Sequence, residues 1–109
     1  MEGRERRVAK NQALFREVNE RIKGVNAGVP LKEETDFLCE CGDEECTEPV
    51  SLSLAEYEHV RSGPTHFAIV PGHEAVDIER IVSQNERYAV VEKDAPLAAR
   101  IAVEHDPRS

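Results

Sequence analysis

Asp36-Phe37-Leu38-Cys39-Glu40-Cys41-Gly42-Asp43-Glu44-Glu45-Cys46 is the stretch on which the reading of this chain turns. It holds the only three cysteines in 109 residues, spaced C-x-C-x4-C. Asp36 to Cys41 has the makings of a short strand, where residues two apart point the same way, so Cys39 and Cys41 face one side. Gly42 lets the backbone reverse through Gly42-Asp43-Glu44-Glu45, and Cys46 returns from the far side of that turn. Local geometry alone thus brings three sulfurs together.

Thiols packed this closely commonly share a metal ion. Zinc is the leading candidate, since it prefers a tetrahedron of thiolate and imidazole ligands; iron is the alternative. The fourth ligand must come from elsewhere, and His59, His66, His73 and His105 are the histidines available. His73 ranks first, because Pro71-Gly72-His73 forms a rigid turn after a strand and can aim a side chain at a neighbouring strand end. His66, flanking the same strand, ranks second. His59 lies within a helix and reads as a surface residue, and His105 belongs to the tail. Glu74 or a water is a further way to complete the site. The expected metal ligands are therefore Cys39, Cys41, Cys46 and His73, around a structural zinc. Free thiols, or a reversible disulfide with one thiol left over, are the competing readings of the cysteines.

Glu40, Asp43, Glu44, Glu45 and Glu48 surround the cluster and read as a solvated loop. Negative neighbours raise thiol pKa values, which weighs against a nucleophilic cysteine. A bound dication reverses that effect by keeping the thiolates deprotonated. Structural zinc supplies roughly 10–16 kcal/mol in small modules, against a total domain stability of about 5–15 kcal/mol. Loss of such an ion is expected to unfold the surrounding strand, turn and helix.

Working outward, the N-terminal segment reads as a helix from Glu5 to Lys23. Val8, Phe15, Val18, Ile22 and Val25 form its apolar stripe, Leu14 widens it, and Asn11 interrupts it. Gly24, Gly28 and Pro30 stop the helix. It serves either as an amphipathic helix packed on its own domain or as a docking arm or dimer seam. Pro49 to Ser53 is an extended lead-in. Ser53-Leu54-Ala55-Glu56 is a capping box that starts a helix over Leu54 to Arg61, with Leu54, Tyr57 and Val60 facing a core. Gly63-Pro64 ends it. His66 to Val70 reads as a strand. Ala75 to Val91 fits a helical face or a hairpin, and the strength of Tyr88-Ala89-Val90-Val91 as a strand favours the hairpin. Asp94 and Pro96 open a last helix with Leu97, Ala98 and Ile101 inward. His105 to Ser109 forms a frayed tail.

Composition bounds the rest. The chain has the length of one domain with an extra arm, and only 5% of its residues are aromatic, so its core is modest and benefits from a metal or a partner. Residues 1–26 carry a net charge of +3 and residues 27–109 a net −11. This acidic body repels nucleic acid and anionic membrane; in the basic arm, Arg4, Arg6, Arg7 and Lys10 read as a solvated helix face, with contact to nucleic acid the less favoured reading. No signal peptide or membrane-spanning run is legible, and the odd number of cysteines fits the reducing cytoplasm. EF-hand, phosphate-loop, dinucleotide and G-x-S-x-G patterns are absent. His73-Glu74 alone fits a metal hydrolase, a less favoured reading.

Residues 37–74, from Phe37-Leu38-Cys39 to Pro71-Gly72-His73-Glu74, together with Glu79-Arg80-Ile81 to Val91-Glu92-Lys93, resemble a group of small uncharacterised actinobacterial proteins. Those chains share the basic N-terminal helix, the C-E-C and following cysteine, an E-Y-E-x-V-R helix and a P-G-H-E turn. The resemblance spans roughly residues 5–93 and implies that Cys39, Cys41, Cys46 and His73 form one constellation, without implying an activity. Iron–sulfur regulators of the same bacteria fit poorly, since they carry four cysteines with a C-x2-C pair.

The expected fold is α+β: an N-terminal amphipathic helix, a small antiparallel sheet with a metal-stapled strand-turn, a short central helix and a C-terminal helix. Residues 1–27 form the basic helical arm and 28–109 the α+β domain. The expected function is a non-enzymatic, zinc-stabilised interaction or regulatory module, meeting a protein partner or a second copy through its N-terminal helix. A redox- or metal-responsive thiol sensor is the alternative.

Overall fold

The computed structural model describes residues 2–43, 45–46, 48–75, 78–93 and 96–106. In chain order these form α1 (Glu2–Val25), β1 (Glu34–Leu38), β2 (Pro49–Ser53), α2 (Leu54–Val60), β3 (His66–Ile69), β4 (Glu79–Gln84), β5 (Ala89–Lys93) and α3 (Pro96–Glu104). The strands make two antiparallel sheets, one of β1 and β2, the other in the order β3-β5-β4. The fold is α+β, as the sequence predicts. Residues 79–93 settle as the hairpin, with Ile81 opposite Val91 and a bulge between Ile81 and Ser83. Asp94 and the terminal residues 107–109 lie outside the described residues, as does the side chain of Ala98. Of the other inward positions of α3, Ile101 is buried and Leu97 packs beside it.

Two apolar clusters follow from the strand pattern. Phe37, Val50 and Leu52 project from β1 and β2 onto Leu54, Tyr57 and Val60 of α2, where the Phe37 and Tyr57 rings stack with centroids 4.5 Å apart. The second cluster joins Phe67, Ile69, Ala89 and Val91 to Ala102 and to the side chains of Cys39 and Cys41. The capping box forms as expected: the Glu56 amide donates to Ser53 Oγ, and the Ser53 amide donates to Glu56 Oε1. Arg87, in the loop between β4 and β5, grips that same Glu56 carboxylate at 2.9 and 2.6 Å.

The first helix departs from the expected stripe. Its buried line is Ala9, Gln12, Ala13, Arg16 and Asn19, while Leu14 and Val25 are 56% and 86% exposed. Val8, Phe15, Val18 and Ile22 are only half-buried at its flanks. The reason is what the helix meets on its cysteine-segment side, which is polypeptide backbone. Asn19 Nδ2 donates to the Leu38 carbonyl, Gln12 Nε2 to the Glu40 carbonyl and Asn11 Nδ2 to the Gly42 carbonyl, at 2.9–3.0 Å. The Leu38 amide returns a 2.7 Å bond to Asn19 Oδ1. Buried carbonyls demand donors, and an apolar stripe has none to give. Asn11 therefore interrupts the apolar pattern because it binds the turn.

Glu40 is a second departure. It is fully buried, not solvated: its Oε2 accepts from Asn19 Nδ2 at 2.8 Å and its Oε1 from the Ala68 amide at 2.9 Å. Burial raises its pKa, against the opposing pull of the Arg16 charge. Arg16 lies 3.7 Å above the Phe67 ring and donates to the Pro64 and His66 carbonyls; its own pKa is lowered to about 10, chiefly by burial. Lys93 and Glu79 add a fully buried pair at 2.6 Å, which Gln12 joins at 3.1 Å. Tyr57 Oη donates to Glu20 at 2.7 Å, and the buried Arg61 pairs with Asp106. A polar layer therefore runs between α1 and the sheets.

Candidate metal centre

Alternation places the two faces of the C-E-C segment back to back. While Glu40 turns toward α1, Cys39 and Cys41 turn the other way, as i and i+2 on an extended chain must. Strand β1 ends at Leu38, short of the expected Cys41, because the chain leaves β2 there and moves along the edge of β3. The Glu40 amide donates to the Ala68 carbonyl at 2.9 Å, and the Val70 amide donates to Cys39 Sγ at 3.1 Å. Side-chain and main-chain groups of Cys39-Glu40 thus occupy the outer edge of β3.

Gly42 makes the reversal with φ at +82°, in the left-handed region that favours glycine. Beyond it, the Cys46 amide donates to the Asp43 carbonyl, and the Glu45 amide to Asp43 Oδ1. Glu44 and Thr47 lie outside the described residues. The last member arrives on the Val70-Pro71-Gly72-His73 turn, closed by a 3.0 Å bond from the His73 amide to the Val70 carbonyl. Pro71 followed by Gly72 at φ +93° follows the type II pattern.

These elements bring Cys39 Sγ, Cys41 Sγ, Cys46 Sγ and a His73 ring nitrogen within 4.8 Å of one another, the one such group among the described residues. His73 Nδ1 lies 3.6 Å from Cys39 Sγ and 3.7 Å from Cys46 Sγ. For zinc bonds of about 2.3 Å to sulfur and 2.05 Å to nitrogen, a tetrahedral angle separates the two ligands by roughly 3.6 Å. The donor set and the spacing both suit such an ion. Cys39 Sγ receives the Val70 amide, and the backbones of Asp43 and Glu48 pull the Cys41 and Cys46 thiols down. Amides aimed at sulfur favour the thiolate form.

The thiols are perturbed unequally. Cys41 is drawn down to about 5, first by the hydrogen bond from Cys39, with the Asp43 backbone, His73 and Cys46 assisting against burial. Cys39, the donor in that bond and itself buried, is pushed well up; Cys46 is raised, chiefly by burial. The sequence expectation that neighbouring acids raise these thiols fails for Cys41, which is lowered, and misses the cause for the other two. Glu40 points away; Cys39 and Cys41 act mainly on one another, and burial dominates at Cys46. The cluster can hold a cation that converts all three to thiolates.

The other histidines sit elsewhere. His66 Nε2 is 3.0 Å from Glu92 Oε2, and with His59 it lines a separate groove of about 370 Å³ beside Val82 and Val90. His105 follows α3 and borders a groove with Lys10 and Leu14. Glu74 is not a member of the cluster; its Oε1 is buried without a hydrogen-bond partner among the described residues. Sequence reasoning assigns Glu48 only to a solvated acidic loop, whereas its Oε2 lies 3.0 Å from His73 Nε2. Its position two residues beyond Cys46 is the one signal that could have found it. No described helix is long and apolar enough to cross a membrane. A scan against protein-family models finds no match, and searches of curated proteins and of solved structures find none either.

Proposed function

We propose that the chain is a zinc-stapled interaction or regulatory module of the cytoplasm, with Cys39, Cys41, Cys46 and His73 as the ligands of a structural ion. The observation that carries this reading is the convergence of three sulfurs and one imidazole nitrogen within 4.8 Å. The ion would tie the β1 extension, the cysteine turn and the loop after β3 into one unit. The exposed side of α1, with Arg7, Lys10, Leu14 and Arg21, is the surface offered to a protein partner or a second copy.

The direct experiment is metal analysis of protein purified without added metal. The expected result is about one zinc per chain in the wild type, loss of that zinc in Cys41→Ser, and unfolding when a strong chelator is added. Wild-type protein that is folded, metal-free and indifferent to added zinc would end the proposal.

A second reading has its own observation. Cys39 and Cys41 are buried, whereas Cys46 and His73 are half-buried, so an oxidant reaches the site from the Cys46 side. On this thiol-sensor reading, a mild peroxide oxidises Cys46 to the sulfenic acid, which condenses with a neighbouring thiol to a disulfide plus water and releases the ion. Stoichiometric zinc release by peroxide, restored by thiol reductant, is the expected signature. Release only at denaturing peroxide concentrations counts against it.

A further inference from the structure

We propose that Glu48 is the positioning residue of this centre, and that its carboxylate selects Nδ1 of His73 as the nitrogen that faces the ion. The inference rests on the metal-binding reading above. His73 presents its two ring nitrogens to different neighbours. Nδ1 lies 3.6 and 3.7 Å from the sulfurs of Cys39 and Cys46, and Nε2 lies 3.0 Å from Glu48 Oε2. An ionised carboxylate only accepts hydrogen bonds, and a neutral imidazole carries a single N–H. The proton therefore belongs on Nε2, and the lone pair of Nδ1 is left for the cation.

Glu48 also touches a second ligand through its main chain: its carbonyl accepts from the Cys39 amide at 3.3 Å. One residue thus contacts Cys39 and His73 through two different groups. Substitution of the side chain removes only the contact to His73 and leaves the main-chain contact in place. Glu48 is 60% exposed and His73 32%, so the effect falls at the lower end of the range found for such outer partners, which is about 10–100-fold in metal affinity.

The experiment uses the full chain as wild type, Glu48→Ala, Glu48→Gln and His73→Ala. Zinc affinity is read by competition with a chelator of known strength, and the His73 ring protonation by long-range 1H–15N NMR. Expected are a roughly tenfold loss of zinc affinity in Glu48→Ala, most of it recovered in Glu48→Gln, whose amide oxygen still accepts. The zinc-loaded wild type should carry its proton on Nε2. Affinity of Glu48→Ala within twofold of the wild type, or a proton on Nδ1 in the loaded wild type, overturns the proposal. If His73→Ala loses affinity while Glu48→Ala does not, the metal reading stands and this inference alone falls. If the wild type binds no zinc, both fall.

Discussion

Gly42→Ala is the sharpest test of how α1 and the cysteine turn are joined. Two separate costs meet at this position. The backbone holds φ at +82°, where an alanine costs about 1–2 kcal/mol. An added Cβ would also lie 2.6 Å from Val8 Cγ1, 2.9 Å from the Val8 carbonyl oxygen and 3.0 Å from Gln12 Cγ. The carbonyl belongs to the helix backbone, so relief requires α1 to shift, and overpacking of this kind costs about 1–3 kcal/mol. The expected total is roughly 2–5 kcal/mol. Gly72→Ala supplies the control, since Gly72 has φ +93° but an added Cβ there would meet nothing within 4 Å. That variant should lose only the backbone part, about 1–2 kcal/mol. Urea denaturation followed by circular dichroism, with zinc held in fixed excess, measures both. Equal losses in the two variants would refute the close approach of α1 to the turn.

Three further outcomes are expected. Arg16→Met removes the larger of the two cationic charges acting on the buried Glu40 and strips the Pro64 and His66 carbonyls of a charged donor, for an expected loss of about 1.5–3 kcal/mol; adding Glu40→Gln should recover part of that loss in a double-mutant cycle, and strictly additive losses would contradict the coupling. Tyr57→Phe removes the 2.7 Å bond to the Glu20 carboxylate, for an expected loss of about 1.5–3 kcal/mol in the urea midpoint analysis. Arg87 holds the Glu56 carboxyl down to about 2. A lowered folded-state pKa stabilises above the unfolded value of about 4.3, and that stability is lost as pH falls toward 2. The difference in urea midpoint between wild type and Arg87→Met should therefore shrink steadily over that window, and a constant difference would count against the pairing.

What can be read from the sequence is local. The Ser53-to-Glu56 capping box, the Pro71-Gly72 turn and the C-x-C alternation each involve residues within a few positions of one another, so spacing alone conveys their geometry. The proximity of Cys39, Cys41 and Cys46 follows from that spacing, and the arrival of His73 from the turn that carries it. The inner face of α1 is not legible in this way. Gln12, Arg16 and Asn19 are buried because they meet carbonyls and a carboxylate some 20 to 50 positions away, and no periodicity within the helix encodes those partners. Hydrophobic spacing instead favours Leu14 and Val25, which face water. Glu40 misleads for a related reason, since an acid between two cysteines in a charged loop gives no sign of the Asn19 and Arg16 waiting behind it.

Leu38 to Gly42 has one further consequence. The carbonyls of Leu38, Glu40 and Gly42 are held by α1, while the sulfurs of Cys39 and Cys41 face the opposite way. A cation on one side and a helix on the other would then compete for nothing and share the same five residues of ordered chain. Any coupling between the two through this segment is reciprocal: the factor by which docking of the helix tightens the cation is the factor by which the cation tightens docking of the helix. Hydrogen exchange at the α1 amides should accordingly report on events at the sulfurs, although no α1 side chain is among the four proposed ligands.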